Sequence, residues 1–398
     1  METTMSIRPQ LVRAAGIDIH KDSFKVCFHC EGGPDEVRAY DTFTCDLHQL
    51  RDDLLSRGIR DVLMESTGVY WISLCSVLME AGIEVRVVNG YFIKNMPREK
   101  TDRKDARWLC KLLVNGMVRN SFIVSNEQRA FRDLVRNRTR YTNSITQAMN
   151  RMVKNLERRN IKLRSVVSSM DTKSAMAIVA ALASGETDTE KLVSLCRGKL
   201  KKKKELMRKA LEGVMTDHDR EELQMLLDDI AHQKKQIGRI EARIKTHTAR
   251  LNQQLISDLK EVAGIGPQST EIILAEVGDN VRVFDTPDKL TAWVGLAPGN
   301  NESAGKSRWA GTRRGNVYLR TLMLQVAWGA VRTRNTYWRA QYYHLSRRMH
   351  ARKAIVVIAR KLMRVIYKII KGTLRYKDYG AEFFAQQLIH RRHGGSVA

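Results

Sequence analysis

The sequence predicts an α/β domain at the amino terminus, followed by two mainly helical regions. Short apolar stretches alternate with amphipathic ones over residues 11–116, which is typical of strands that alternate with helices. Beyond Asn126, apolar residues recur at steps of three and four among many arginines, which favours long helices. The formal net charge is +26, and so basic a chain favours a polyanionic partner over a small metabolite.

The first region, placed at residues 11–120, has β-rich apolar runs and two stretches of helical spacing. Gly82 ends the first helical stretch, as glycine commonly does. The predicted strands are 14–19, 25–29, 61–64 and 83–88, and the predicted helices are 71–81 and 101–115.

The second region, residues 121–255, begins with a long basic helix. A later stretch repeats apolar residues at intervals of seven, which is coiled-coil spacing. The repeating residues are Leu223, Ile230, Ile237, Ile244 and Leu251. An intramolecular helical hairpin and a dimerising arm would both explain this pattern. The lysine run at 199–204 is read as a solvated helix start or an RNA contact.

The third region, residues 256–390, is mainly helical and basic. No Asp or Glu occurs from Ser303 to Lys377, and aromatic residues are interleaved with the arginines. Such a segment repels itself unless a phosphate backbone lies against it, so we expect nucleic-acid contact here. Gly264 and Gly266 lie in a loop between two apolar helices, which is either a phosphate-binding turn at a helix N-terminus or a tight interhelical turn.

Several classes of protein are disfavoured. No apolar run approaches the ~20 residues of a membrane span, and the first residues lack the apolar core of a signal peptide, so we expect a cytoplasmic protein. Cys27 and Cys30 have ligand-like spacing but lie in an alternating, strand-like stretch, which argues against a zinc site.

Four carboxylates occupy element ends of the first region: Asp18, Glu65, Asp102 and Asp105. Each has an ordinary explanation alone, as a turn former, a surface acid or a helix cap. Taken together, the two strands and the helix that carry these acids would bring all four to one point. Carboxylate oxygens suit Mg²⁺, and two such ions roughly 4 Å apart serve phosphodiester chemistry.

Seven segments resemble the DEDD transposases of insertion sequences, a family that includes Piv-type DNA invertases and bridge-RNA-guided recombinases. Their order along the chain matches the family order, which makes the resemblance specific. The segments are Gly16-Ile-Asp-Ile-His-Lys21, Met64-Glu-Ser-Thr-Gly-Val-Tyr70, Lys100-Thr-Asp-Arg-Lys-Asp-Ala106, Val262-Ala-Gly-Ile-Gly-Pro267, Leu290-Thr-Ala-Trp-Val-Gly-Leu-Ala-Pro298, Glu302-Ser-Ala-Gly-Lys306 and Arg313-Arg-Gly-Asn-Val-Tyr-Leu-Arg320.

This resemblance implies a RuvC/ribonuclease H-like first domain whose four acids bind Mg²⁺, a helical coiled-coil middle, and a C-terminal transposase domain with a helix-hairpin-helix-like element. It further implies that Ser303 is the nucleophile, with Ser307 as the second candidate. The implied partners are double-stranded DNA at the element ends and target, an element-encoded guide RNA, and further copies in a dimer or tetramer at the nucleoid. We expect phosphate contacts from Gly264, Gly266, Lys306, Arg308, Arg313, Arg314 and Arg320.

Three other functions remain open on sequence alone. A site-specific invertase shares these motifs. A RuvC-like junction nuclease would use the acids with water as nucleophile and would not need Ser303. A non-catalytic nucleic-acid-binding protein would need neither the acids nor the serine.

Overall fold

The structure is a computed structural model that describes residues 11–88, 102–117, 122–299, 302–303, 306–307, 311–312 and 314–393. Side chains are described for these residues except at 102–104, 302–303, 306–307 and 390–393. The chain divides into two compact units, residues 1–126 and 127–398. The three regions that the sequence predicts, 11–120, 121–255 and 256–390, stay a prediction.

The first unit contains a mixed five-stranded sheet of order β3-β2-β1-β4-β5. Strand β1 pairs antiparallel with β2 and parallel with β4. The strands are β1 Arg13–Ile19, β2 Phe24–Cys30, β3 Glu36–Tyr40, β4 Asp61–Glu65 and β5 Glu84–Val88, and the helices are α1 Thr44–Ser56, α2 Trp71–Glu80 and α3 Asp102–Val114. This arrangement confirms the predicted α/β region.

Both faces of the central strands are buried, because successive side chains alternate between two apolar cores. Ile17 and Met64 belong to the core beneath α1 and α2. Ala14 and Leu63 belong to the opposite core, which helix α3 covers. The continuous apolar character of β1 follows from this double burial.

The second unit is helical apart from one short hairpin, among the residues that the structure describes. Its elements are α4 Asn126–Arg158, α5 Leu163–Val166, α6 Lys173–Ala183, α7 Thr189–Ser194, a 3₁₀ turn Gly198–Lys203, α8 Lys204–Ala210, α9 Asp217–Thr248, α10 Gln253–Lys260, α11 Pro267–Val277, α12 Pro287–Val294, β6 Glu302–Ser303, β7 Lys306–Ser307, α13 Val317–Arg332, α14 Tyr337–Ser346, α15 Ala351–Ile370 and α16 Gly380–His393.

Helices α4 and α9 form an antiparallel pair within the chain. At one end, Arg158 lies 2.9 Å from the carboxylate of Asp219. At the other end, the rings of Phe131 and His247 stack with their centroids 4.2 Å apart. A helical hairpin within one chain therefore accounts for both long helices.

A continuous coiled-coil seam is not confirmed. Leu223, Ile230 and Ile244 are buried, but Ile237 is half-buried and Leu251 lies beyond the end of α9. The short helices α5 to α8 instead complete an apolar core with parts of α4 and α9. The small apolar residues of 165–184 therefore serve packing. No helix in the described part of the chain has the length and apolarity to cross a membrane.

Candidate active site

Asp18 lies near the carboxyl end of β1, the central strand of the first unit. Its exposure is only 6%, so its carboxylate is largely withdrawn from water. The Nε2 atom of His20 lies 3.0 Å from Oδ2 of Asp18. Lys25 stands directly opposite Asp18 in the antiparallel register of β1 and β2. A buried acid is stabilised by such polar and cationic neighbours, since its charge is costly to bury alone.

Glu65 ends β4 beside Asp18. The parallel register aligns Ala15 with Val62, Gly16 with Leu63 and Ile17 with Met64. One further step in this register brings Asp18 and Glu65 to neighbouring positions on the same sheet face, because side chains alternate in phase on aligned strands. The two carboxylates thus share one edge and one face.

Helix α3 crosses that same face in the direction opposite to β1. The amide of Leu11 donates to the carbonyl of Val114 at 3.4 Å, and the thiol of Cys110 donates to the carbonyl of Ala14 at 3.6 Å. Early residues of β1 therefore lie against the end of α3. It follows that the first turn of α3 lies toward the end of β1 that carries Asp18.

A close approach at Gly16 holds α3 against the sheet. A Cβ atom on Gly16 would lie 2.3 Å from the amide nitrogen of Cys110 and 2.4 Å from the carbonyl oxygen of Ala106. These are backbone atoms that cannot rotate aside, so only glycine fits. Gly16, the first residue of the segment 16–21, therefore allows helix α3, which contains most of the segment 100–106, to pack against β1.

Asp102 and Asp105 lie in the first turn of α3. The carboxylate of Asp105 is on a half-buried side chain, whereas the side chain of Asp102 lies outside the described side chains. Among the side chains that are described, no group of three or more potential ligands is close enough to hold a metal ion. All four predicted ligands are carboxylates, whose oxygen atoms suit a hard cation by their chemistry, and their joint binding of Mg²⁺ stays a prediction.

The predicted nucleophile lies in the second unit, in a hairpin of two short strands. Ser303 stands opposite Lys306, and Glu302 stands opposite Ser307. Below the hairpin, Pro298 bridges to Thr312, and the amide of Gly299 donates to the carbonyl of Gly311 at 2.9 Å. The side chains of the paired residues are not among those described, and Arg308 and Arg313 lie outside the described residues.

The chain after this hairpin is anchored tightly to helix α12. The amide of Asn316 donates to the carbonyl of Trp293 at 3.1 Å. A Cβ atom on Gly315 would lie 2.4 Å from the amide nitrogen of Gly295. The guanidinium of Arg320 donates to the carbonyl of Gly295, so one of its N–H groups serves the fold, while Arg314 is exposed.

Sequence reasoning did not single out Glu276, which lies at the centre of this anchorage. Its carboxylate is almost fully buried and accepts hydrogen bonds from Arg136 at 2.7 and 2.8 Å and from the side chain of Asn316 at 2.6 Å. Arg132 donates to the Glu276 backbone carbonyl at 2.7 Å. Burial lowers the pKa of Arg132, and the nearby Glu276 carboxylate opposes this shift. The only sequence signal was an acid within the otherwise apolar run 272–277 at the end of α11.

The two glycines of the predicted phosphate loop differ in their surroundings. Gly264 has a φ of +87°, and a Cβ atom there would lie 2.3 Å from the carbonyl oxygen of Val326 in α13. Gly264 is therefore required for helix packing. Gly266 precedes α11, and a Cβ atom there would meet nothing within 4 Å. The helix-hairpin-helix-like element is not confirmed, and phosphate binding at this loop stays a prediction.

Two family models match the chain. One is a DEDD transposase model of the IS110 type, described as a transposase, which matches residues 15–161. The other is the transposase IS116/IS110/IS902 family, which matches residues 257–344. The first match contains the carboxylates, and the second contains the serine hairpin.

Curated relatives are also transposases by name. A protein of Pseudomonas aeruginosa named as a family 20 transposase is 27% identical over 326 residues, which are 79% of this chain and 85% of the relative. Two proteins of Sinorhizobium fredii are named as transposases. The protein y4qE is 23% identical over 79% of this chain and 70% of its own length, and y4pF/y4sB is 30% identical over 30% of this chain and 32% of its own length.

Proposed function

Because the chain belongs to the IS110 family of DEDD transposases, enzymes that cleave and rejoin DNA, we propose that it moves an insertion sequence through a covalent serine–DNA intermediate. Ser303 is the proposed nucleophile, and the carboxylates at the end of β1 assist it. The single observation that carries the proposal is the register of β1 and β4, which sets Asp18 beside Glu65 on the face that α3 crosses.

The four acids Asp18, Glu65, Asp102 and Asp105 would hold divalent cations, two Mg²⁺ ions in the full site. Bound Mg²⁺ supplies charge stabilisation at the attacking and departing oxygens of a phosphodiester. His20 has a positioning role in this proposal, because its contact with Asp18 fixes the orientation of that carboxylate. The buried setting of Asp18 keeps the carboxylate in one place before DNA arrives.

The covalent step exchanges one phosphodiester bond for another. The Ser303 oxygen forms a bond to phosphorus, and its proton passes to a base or to solvent. The bond between phosphorus and the departing deoxyribose oxygen breaks, and that oxygen takes up a proton. Attack by a deoxyribose hydroxyl of a new strand reverses these events and releases Ser303, so phosphodiester bonds are conserved without a nucleotide cofactor.

Cationic side chains near the hairpin would neutralise phosphate charge at the break. We assign this role to Lys306, Arg308, Arg313 and Arg314. Gly266 and the remaining N–H groups of Arg320 would add contacts to the backbone. Arg132, Arg136 and Arg138 of the basic helix are instead paired with carboxylates of α11, so they stabilise the fold.

We further propose that a structured RNA encoded by the element pairs with donor and target DNA and supplies the sequence specificity, as base pairing does in other guided systems. The exposed basic residues of α4, such as Arg151 and Lys154, offer phosphate contacts for this RNA. The acids and the serine would meet across copies of the chain, which makes an oligomer part of the proposal.

The decisive experiment expresses the wild type, Ser303→Ala and Asp18→Asn in cells that carry the native element with its flanks. We expect a denaturant-resistant protein–DNA adduct in the wild type and none in either variant. Asp22→Asn is the matched control, because Asp22 is an exposed acid of the same motif region. Cleaved DNA that persists in Ser303→Ala without an adduct would instead show a nuclease that uses water.

A further variant tests which serine of the hairpin is the nucleophile. Ser307→Ala removes the hydroxyl on the opposite strand of the hairpin. We expect adduct formation to survive this change. Loss of the adduct in Ser307→Ala, with retention in Ser303→Ala, would move the nucleophile to Ser307.

A further inference from the structure

A cavity of about 320 Å³ opens at the carboxyl-terminal end of the second unit, between α14, α15 and the segment that leads into α16. Five aromatic side chains line it: Tyr337, Trp338, Tyr376, Tyr379 and Phe383. The rings of Tyr379 and Phe383 lie 4.8 Å apart at 33°, and Tyr379 is 60% exposed. The cavity therefore presents flat apolar faces that are open to solvent.

Four cations stand around the same cavity: Lys361, Arg364, Arg375 and Lys377. Arg364 also lies 3.7 Å from Asp288, and the ammonium of Lys377 lies 5.7 Å from the ring centre of Tyr379. Positive charge thus surrounds the aromatic faces. Such a cluster is stabilised when an anion binds beside it.

Among the described residues, Asp378 is the one carboxylate that lines the cavity, and donors within the protein bind its oxygen atoms. Its Oδ1 accepts from the amides of Tyr337 at 3.0 Å and Gly380 at 2.8 Å, and its Oδ2 accepts from the hydroxyl of Tyr376 at 3.3 Å. Burial raises the pKa of Tyr376 to about 12, so this hydroxyl remains a donor at neutral pH. Asp378 therefore shapes the wall, and the cations outnumber it.

We propose that this cavity binds one unstacked nucleotide of a nucleic-acid strand, with the base against the aromatic wall and the phosphate against the cations. Base stacking on aromatic side chains beside a positive groove is how proteins hold single strands. The volume falls near the lower end of small-ligand sites, which suits a single nucleotide and excludes a stacked duplex. Single-stranded DNA, single-stranded RNA and a free nucleotide share this chemistry.

Tyr379 offers a sharp test because the chain contains a matched aromatic residue outside the cavity. Tyr343 is 51% exposed and has Arg339 5.5 Å from its ring centre, as Tyr379 has Lys377. Both tyrosines are on the surface, so replacement by alanine leaves the core intact. We would measure binding of the full chain to fluorescent 12-nucleotide DNA and RNA strands, the DNA duplex, and a mononucleotide. Salt is set high enough to suppress non-specific phosphate contacts.

The expected result is a loss of about tenfold in single-strand affinity for Tyr379→Ala, within the range of one base stack, and a change below about twofold for Tyr343→Ala. The affinity for the DNA duplex stays at the wild-type value in both variants. The strand that is affected, DNA or RNA, identifies the source of the nucleotide, and an effect on the mononucleotide alone identifies a free ligand.

Two results would overturn the proposal. In one, Tyr379→Ala and Tyr343→Ala weaken the binding of all ligands equally, as expected if both tyrosines make only general surface contacts. In the other, Tyr379→Ala leaves every ligand unaffected. Crosslinking with strands that carry a photoreactive base gives an independent readout, and we expect adducts at Tyr379 or Phe383. Crosslinks confined to residues outside the cavity would also refute it.

Discussion

Gly16 links the sheet to the candidate active site at the scale of one residue. Its missing side chain lets α3 lie directly on β1, and the acids of α3 are placed by that contact. Gly16→Ala is expected to destabilise the first unit by about 1–3 kcal/mol, because a Cβ atom overlaps backbone atoms of Ala106 and Cys110. Hydrogen exchange of the β1 amides, measured by mass spectrometry, should become faster.

Gly238 provides the control for that substitution. It lies inside α9, and a Cβ atom there would meet nothing within 4 Å. Gly238→Ala should therefore stabilise the helix by about 0.5–1 kcal/mol through reduced backbone freedom. If Gly16→Ala left β1 exchange as slow as in the wild type, the contact between Gly16 and α3 would not hold the helix in place.

Some buried acids could be predicted from the sequence alone, and others could not. Asp18 and Glu65 were found from sequence because an acid inside or at the end of an apolar strand stands out against its neighbours. Glu276 was not, because its partners Arg136 and Asn316 lie 140 and 40 residues away. The sequence does not distinguish an arginine that binds a carboxylate far along the chain from an arginine that binds a phosphate of nucleic acid.

At the scale of elements, the α4–α9 pair is fastened by Asp219. This carboxylate is buried at the start of α9 and accepts hydrogen bonds from the side chains of Thr216, Arg158 and Arg159. Burial by itself would raise the pKa of Asp219, but the hydrogen bonds from Thr216 and the two guanidinium groups outweigh it and hold the pKa well below its usual range. The ionised form is therefore favoured by folding.

The sign of this shift sets the pH dependence of stability. A depressed carboxyl pKa stabilises the fold above the unfolded-state value of about 4, and this contribution is lost as the pH falls through the lower folded-state pKa. Asp219→Asn should therefore lower the melting temperature clearly at pH 7, and the difference from the wild type should shrink below pH 4. Exposed Asp217 lies two residues earlier, and Asp217→Asn should have little effect at either pH. A constant difference for Asp219→Asn from pH 7 to pH 3 would contradict the linkage.

Elements with strong periodicity were predicted to within one or two residues, whereas polar ones were not assigned. Strand β4 and helix α2 begin at the predicted residues, since the buried side chains of each recur with the period of its element, as Leu74, Cys75 and Leu78 do in α2. Strand β3 was missed because it is an edge strand with few buried residues. The heptad pattern of α9 was only partly realised, because α5 to α8 cover one part of the helix and leave its middle half-buried or exposed.

At the scale of the whole molecule, the two halves of the proposed chemistry belong to separate compact units. Asp18 lies in the first unit and Ser303 in the second. Symmetric oligomers bring different surfaces of identical chains together, so a site built from both units does not require both to come from one chain. The alternative is a site completed within each chain. Mixing two inactive variants distinguishes these arrangements.

Asp18→Asn and Ser303→Ala should complement each other if the site is shared between copies. Co-expression of the two variants, tagged to differ in size, is expected to restore about one quarter of the wild-type adduct in a randomly mixed dimer. The DNA should be attached only to the Asp18→Asn chain, because that chain retains Ser303 while its neighbour supplies the acids. Co-expression of either variant with the Asp18→Asn/Ser303→Ala double variant should restore nothing. If the single variants also yield no adduct together, although each still assembles with the wild type, then the acids and the serine act within one chain.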